Sequence, residues 1–349
     1  MAADFLSSNY GLVMVASEAS YGTDQIDADL IANNDVVFQL VEGCTVTPIG
    51  TIVRPAIIRA THDVSEHVYI ENGASVSMSG LLTGKESTAG DPPEYAAVLK
   101  ASNFAETIVG ATSATYNTAT VRQDGMTVYK HEFGLDGTES RLTHTEGVQG
   151  NISFSLEANN FAKWAFSGTG SSFNKPTDDL QYFEASSGKP LLDVDGAGIT
   201  YTGAYGYSAK SPMICKSMTV TAGGTTYNVS TVNIDVAFGT GTLDTVNGVT
   251  TYAQIFNTRG DDSPVTGSFL LVSSGADYDD VLSKWPAGTA SALVFTVTDG
   301  TDTISFSIPN AQLGDPSGGD VSGVRTYEIP FFGAVNSTAG NDSLSITYT

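Results

Sequence analysis

Alternation of apolar and polar residues is the feature that most constrains how this chain can fold. Five segments place apolar side chains at every second position, mostly with Ser, Thr, Asn or Asp between them: Ile152–Leu156, Val232–Val236, Leu293–Val297, Ile304–Ile308 and Leu344–Tyr348. Successive side chains of a strand point to opposite faces, so the pattern predicts strands with one buried face. Asp136-Gly137 and Asp299-Gly300 supply hairpin turns between such segments. The chain is therefore predicted to be mainly β and connected by antiparallel hairpins.

Helical signals occur at two places. Asp91–Glu94 offers a capping Asp, prolines where a missing N–H is harmless, and an acid near the positive end of the helix dipole. Apolar residues follow at helical spacing, namely Tyr95, Val98 and Leu99. The second signal begins at Asp277 and ends before Pro286, and its apolar residues have the same spacing: Tyr278, Val281, Leu282 and Trp285. Each pattern predicts a short helix with a narrow apolar stripe.

The order strand, long hairpin, strand, helix, Asp-Gly hairpin occurs twice in the chain. Val76–Leu82 precedes the first helix and Val265–Leu271 the second, while Cys44–Thr47 aligns with Met218–Thr221. We interpret this order as a diverged tandem duplication. The chain then divides into an N-terminal arm, a first module, a connector and a second module: 1–39, 40–175, 176–212 and 213–349. The alternative is chance similarity, which a β chain rich in Thr, Ser and Gly readily produces.

Motifs for catalysis and metal binding are missing from the sequence. It holds no nucleophile elbow, no H-E-x-x-H and no C-x-x-C, and Gly80–Lys85 is one residue short of a phosphate-binding loop. His62 and His67, five residues apart, would point to opposite faces of a strand. We therefore predict no catalytic site, no cofactor and no metal. A hydrolase whose carboxylates meet only in the folded state is left open, although no aromatic cluster favours it.

Net charge, hydropathy and cysteine content further limit the functions that this chain can have. The chain has 38 Asp and Glu against 15 Lys and Arg, a formal net charge of −23, whereas a protein that grips DNA neutralises phosphates with basic residues. No apolar run approaches the ~18–20 residues of a membrane helix, and the N-terminus lacks a signal-peptide pattern. Cys44 and Cys215 are expected to be free thiols in a reducing cytoplasm. An acidic chain that nevertheless assembles must use apolar edges and hydrogen-bonded strands.

A set of short motifs covers nearly the whole chain. In chain order they are Ala16–Asp24, Val46–Pro48, Val53–Pro55, Glu94–Thr107, Gly147–Leu156, Trp164–Gly168, Pro309–Leu313 and Gly340–Ile346. The first contains glutamate, two further residues and then Tyr-Gly-Thr-Asp. As a set, these motifs resemble the tail tube (major tail) proteins of long-tailed bacteriophages.

The resemblance implies two tandem β-barrel or β-sandwich modules, each with one short α-helix packed outside, in a ring with a continuous inner β-barrel. Rings of this kind stack into the hollow tail tube that conducts phage DNA to the host cell. The implied location is the virion tail, after synthesis in the host cytoplasm and with no membrane contact. Other implied partners are the tail terminator, tape measure and distal tail proteins, and DNA passes through the lumen without specific binding.

A doubled module predicts a ring of three chains with pseudo-sixfold geometry, and a ring of six chains is the alternative. The competing function is a carbohydrate-binding, adhesin-like virion decoration, since exposed aromatics such as Tyr201, Tyr205 and Tyr207 also suit glycans. Rings or tubes would favour the first function, and a monomer with glycan affinity the second.

In the family, an N-terminal arm and a long hairpin reach the next ring. By position these map to Met1–Asn34 and to a first hairpin, Thr47–Tyr69, with Asn228–Tyr252 as the hairpin of the second half. Two scarce cations in the first hairpin, Arg54 and Arg59, are candidates for ion pairs with a neighbour. The resemblance thereby suggests the following residues for contacts between subunits or rings: Tyr21, Asp24, Thr47, Arg54, Arg59, His62, Tyr69, Tyr227, Thr240 and Tyr252.

Overall fold

The structure is a computed structural model of the chain. It describes residues 6–22, 37–38, 41–53, 68–84, 90–119, 123–134, 140–173, 183–184, 189–190, 212–244, 252–258, 264–272, 275–284, 290–321, 323–336, 340 and 342–349. These residues are mainly strand, as the alternation predicted, and include two helices and a closed six-stranded barrel with further strands outside it.

The strands of the first half are β1 Leu6–Ser17, β2 Val37–Phe38, β3 Val41–Val53, β4 Val68–Leu81, β5 Phe104–Val109, β6 Ser113–Thr118, β7 Met126–Gly134, β8 Ser140–Glu157 and β9 Lys163–Gly170. Two short strands follow, β10 Phe183–Glu184 and β11 Lys189–Pro190. Those of the second half are β12 Ser217–Ala222, β13 Thr225–Val236, β14 Gly239–Asp244, β15 Tyr252–Thr258, β16 Val265–Leu271, β17 Ser291–Thr298, β18 Thr303–Leu313, β19 Ser317–Val321, β20 Val324–Gly333 and β21 Ser345–Tyr348. The helices are α1 Ala96–Ala101 and α2 Gly275–Lys284.

Six strands of the second half close into a barrel. The antiparallel pairing runs β12–β13–β16–β20–β18–β17 and returns from β17 to β12. The predicted alternation is confirmed in β13, β17 and β18, where every second, apolar side chain is buried. Three aromatic rings from different walls contact one another inside, those of Phe269, Phe295 and Phe331, with centroids 5.3–6.4 Å apart. Burial of these rings, with the other apolar side chains of the barrel strands, stabilises the barrel interior.

Strands of the first half follow a comparable order of neighbours. The pairing runs β1–β7–β8–β9–β4–β3, and β2, just ahead of β3 in the chain, pairs with β1. The first half also carries the β5–β6 hairpin directly after α1. In the second half, by contrast, β17 is the next described strand after α2.

Among the described residues, two pairings between strands join the halves, in addition to isolated antiparallel bridges from Thr83 to Pro212 and from Phe161 to Ile214. Strand β8 pairs with β13 of the second half through residues 152–157 and 231–236. The C-terminal strand β21 lies between β6 of the first half and β18 of the second. Sheet hydrogen bonding is therefore continuous from one half to the other.

The predicted helices are present. Helix α1 starts directly after Tyr95, and Tyr95, Val98 and Leu99 are buried, as predicted. In α2, Val281 is buried and the half-buried Tyr278 ring stacks on Tyr327 at 3.5 Å between centroids. Trp285 and the side chain of Leu282, both predicted to pack, lie outside the described residues. Neither described helix is long and apolar enough to cross a membrane.

Candidate assembly surface

The junction between β8 and β13 shows how this sheet buries an internal contact. Ile152 lies opposite Val236, and Phe154 lies opposite Ile234; none of these four side chains is more than 2% exposed. The Phe154 ring also contacts the ring of Phe306 in the barrel, with centroids 5.2 Å apart. The predicted alternation therefore continues across the junction, with apolar side chains facing the core on both strands.

Strand β3 forms one end of this sheet. Among the described residues it pairs on one side only, with β4. Cys44 and Val46 pack against the core but stay partly exposed, and Ile52, further along, is 51% exposed. Desolvation raises the pKa of the Cys44 thiol to about 12, so the thiol is neutral at pH 7. A long edge strand offers backbone N–H and C=O groups to which another strand can pair, and its partly covered apolar side chains would be buried by that strand.

A second open edge is formed by the end of β18 and by β19, which run one after the other along β20. The backbone N–H of Gly314 donates to the carbonyl oxygen of Pro330, so the contact with β20 continues between the two strands. Leu313 is partly buried against the core. Every residue of β19 is exposed, and Val321 and Val324, where β19 turns into β20, are both 52% exposed. Within the described part of the chain, β19 pairs only with β20.

A buried carboxylate anchors the end of β1. Glu18 is 1% exposed and accepts hydrogen bonds from the backbone N–H of Gly22 (2.7 Å), the backbone N–H of Gly147 (2.6 Å) and the hydroxyl of Thr127 (3.1 Å). Gly22 has φ +69°, a conformation that favours glycine. Glu18 was not among the predicted site residues, although it opens the Glu-x-x-Tyr-Gly motif. The observable signal was a glutamate that follows an apolar run and precedes a glycine by four residues.

A tyrosine cluster fastens the C-terminal strand to the first half. The hydroxyls of Tyr95 and Tyr348 share a hydrogen bond of 2.6 Å, and the Tyr116 ring meets Tyr348 edge-on at 5.7 Å. Tyr116 donates to Glu106 over 2.6 Å. Burial raises the pKa of Tyr95 and of Tyr348, so both hydroxyls stay protonated at neutral pH. The cluster links α1, β6 and β21 and so contributes to holding the two halves together.

Tyr227, predicted to contact a neighbouring subunit, is buried within its own chain instead. Its side chain is 2% exposed, and its hydroxyl donates to Asp280 and accepts from the Lys284 ammonium at 2.8 Å. Lys284 also pairs with Asp280 at 2.8 Å. Hydrogen bonds from Lys284 and then from Tyr227 lower the pKa of Asp280. These contacts assign Tyr227 to the attachment of α2 to β13, so its side chain is not available to a partner.

The predicted second hairpin needs a correction. Asn228–Tyr252 was assigned as a projecting hairpin, but residues 228–236 belong to β13 in the barrel wall. The hairpin itself is β14–β15, in which Gly239 pairs with Thr258. The prediction failed because β13 runs on into β14 after a two-residue break, which the alternation does not mark.

The remaining predicted contact residues fall into three groups. Tyr21 lies half-buried in the turn fixed by Glu18. The hairpins hold the next four, with Thr47 and Tyr69 in β3–β4 and Thr240 and Tyr252 in β14–β15. The third group lies outside the described residues: Asp24, Arg54, Arg59 and His62. The aromatics considered for glycan binding, Tyr201, Tyr205 and Tyr207, also lie outside them.

In the described ranges, no group of three or more His, Cys, Asp and Glu side chains is placed to hold a metal ion. In comparisons with known proteins, no family model matches this chain and no curated protein matches it. Function therefore has to be inferred from the geometry of the chain itself.

Proposed function

We propose that this chain is a structural protein that associates with its own copies through sheet edges, forming rings that stack into the hollow tail tube of a long-tailed bacteriophage. One observation carries the proposal: the sheet that joins the two halves through β8 and β13 also has two open edges with partly covered apolar side chains, β3 and the end of β18 with β19. Natural proteins usually blunt or cover such edges, so their retention favours a partner.

The strand order supports a duplicated module. In each half, the strand before the helix has the same kinds of neighbours: β4 lies between β3 and β9, and β16 lies between β13 and β20. This order corrects one predicted alignment. Cys44–Thr47 in β3 corresponds to β13 rather than to Met218–Thr221 in β12, because β12 pairs with β13 and β17 and not with β16.

A duplicated module gives the proposed ring its stoichiometry. Three chains with two modules each contribute six modules to a ring. The chains in such a ring contact one another head to tail, and the ring closes. A ring of six chains is the alternative. The β3–β4 and β14–β15 hairpins are then the proposed contacts to the next ring, with the tail terminator, tape measure and distal tail proteins at the ends of the tube.

The acidity of the chain suits a conduit for DNA. With a net charge of −23, a channel wall built from it repels phosphates, so DNA slides without being held. Neither base recognition nor catalysis is part of this function.

Electron microscopy tests the proposal directly. Negative staining of the purified chain at rising concentration is expected to show rings or hollow tubes, and native mass spectrometry is expected to give three copies per ring. Six copies per ring would overturn the trimer and leave the tube in place. A monomer at every concentration, with affinity for glycans, would overturn the tube in favour of a virion decoration.

A further inference from the structure

The junction inside the chain shows how two modules can be joined. In it, β8 of the first module runs antiparallel to β13 of the second, and Ile152 lies opposite Val236. If the modules are repeats, the second module has its own counterpart of β8, and the first has its own counterpart of β13. The strand pairings of the sheet identify both counterparts residue by residue.

The counterpart of Val236 is Val46. Val236 lies opposite Val265 in the strand that precedes α2. Val46 lies opposite Val76 in the strand that precedes α1. Val76 and Val265 each start a seven-residue segment that ends in Leu-Leu, so the two valines hold the same place in their modules.

The counterpart of Ile152 is found by following the strand pairings from β4 away from β3, through β9 to β8, and then repeating that path in the second module. In the first module, Val76 lies opposite Gly168, which lies opposite Gly150. Ile152 is two residues beyond Gly150 and therefore points to the same face.

The same path in the second module ends on the exposed edge. Val265 lies opposite Gly333, which lies opposite Ala311. Two residues beyond Ala311 is Leu313, at the end of β18. Both paths pass through a glycine that follows a Phe by two residues, Phe166 and Phe331, which supports the alignment.

We propose that the β18–β19 edge of one copy pairs antiparallel with β3 of the next copy, with Leu313 opposite Val46. This register rests on the proposed self-association and specifies it. The pairing runs from Leu313 into β19 on one copy and from Val46 towards Val41 on the other. The interface is heterologous, since each copy offers a different edge, so repetition closes a ring or continues as a filament.

Burial agrees with this register. Ile152 and Val236 are 2% and 1% exposed where a strand covers them. Leu313 and Val46 also pack on the core but remain partly exposed at their edges. If Leu313 of one copy packed beside Val46 of the next, both side chains would become buried, as Ile152 and Val236 are at the internal junction. Pairing β3 with β3 of a second copy would instead leave Leu313 uncovered.

Disulfide trapping tests the register. Two variants are made in a Cys44→Ser background, Val46→Cys and Leu313→Cys, one of them labelled with ¹⁵N. Directly opposite residues of antiparallel strands have Cα atoms about 4.5–5.5 Å apart, within disulfide reach. After oxidation with Cu(II)-phenanthroline, the mixture should give at least about tenfold more covalent dimer than either variant alone. Mass spectrometry should find one linked peptide pair, in which one peptide is ¹⁵N-labelled and the other is unlabelled.

The matched control shifts one strand by a single residue. Thr45→Cys points to the opposite face of β3, so its mixture with Leu313→Cys should give no more dimer than the single variants. Equal trapping at positions 45 and 46 would overturn the register, and so would dimers from Val46→Cys alone.

The trapping and the microscopy can fail separately. Tubes without a link between positions 46 and 313 would overturn the register and leave the proposed function standing. A specific 46–313 link in a sample that never forms rings or tubes would support the register and count against the tube. A monomer with no link would overturn both.

Discussion

In the proposed assembly, the internal junction and the open edges of this chain make the same kind of strand contact. At the junction, Ile152 and Val236 are buried where β8 pairs with β13. At the edges, Leu313 and Val46 stay partly exposed, and the proposed alignment of the two halves gives them the corresponding positions. On the proposed account, an apolar strand surface is part of the core where its partner strand lies in the same chain, and an interface where the partner strand belongs to another copy. Mutations at the junction should therefore change folding, and mutations at the edges should change assembly.

The largest effect is expected from Phe154→Ala. The ring lies in the junction strand and contacts Phe306 across the module boundary. Emptying such a site should lower the free energy of unfolding by about 3–5 kcal/mol, measured by urea denaturation. Phe161→Ala removes an equally large ring that is 41% exposed, and it should cost less than about 1 kcal/mol. Similar losses in the two variants would show that the junction is not part of the core.

Tyr348→Phe tests the second contact between the halves. It removes one hydroxyl of the 2.6 Å pair and leaves the buried Tyr95 hydroxyl without that partner, which should cost about 1–3 kcal/mol of unfolding free energy. Adding Tyr95→Phe removes the other hydroxyl as well. The double variant should therefore lose less unfolding free energy than the sum of the losses in the two single variants, Tyr348→Phe and Tyr95→Phe. Strict additivity would argue against a coupled pair.

Val46→Lys should lower the free energy of unfolding of the monomer by only about 1 kcal/mol, because Val46 is partly buried against the core but a Lys side chain at this edge can reach solvent. It should abolish ring formation, since a paired β3 would bury the ammonium. Thr45→Lys makes the same change in charge on the outward face of β3 and should still assemble. Sedimentation velocity compares the two variants. Rings from Val46→Lys would place the interface elsewhere.

The smallest effect concerns the attachment of α2. Asp280 has a lowered pKa in the folded chain, so its contribution to stability is present above the unfolded value near 3.8 and is lost as the pH falls through the folded pKa. Asp280→Asn should cost less than about 1 kcal/mol at pH 7 and should remove part of the stability loss below pH 4. Thermal unfolding from pH 7 to pH 3 measures both. An unchanged acid profile would contradict the role given to the Asp280–Lys284–Tyr227 contacts.

The alternation predicted the strands because a strand with one buried face needs apolar residues at every second position, a pattern that can be seen within a few residues of sequence. The stripe Tyr95, Val98 and Leu99 predicted α1 for a comparable reason. No comparable local pattern shows which strands pair with each other. Cys44–Thr47 and Met218–Thr221 share the letters Thr-Val-Thr, yet they lie in strands with different neighbours. Closure of the barrel likewise depends on contacts between residues that are distant in the sequence.

The candidate site was predictable only in part. The hairpin containing Thr47 was placed by position, and Thr47 does lie exposed on the β3 edge. Tyr227 was assigned incorrectly because an exposed and a buried tyrosine in a strand look alike until the position of α2 is known. Leu313 and Val46 could not be singled out from the sequence, since their importance comes from comparing two sets of strand pairings.

The most direct test of the central claim is a cryo-electron microscopy reconstruction of the assembled chain. We predict hollow rings of three copies in which β3 of each copy continues the sheet of its neighbour beside β18 and β19, with Val46 next to Leu313. Rings whose copies meet through other surfaces, with β3 exposed to solvent, would contradict the account.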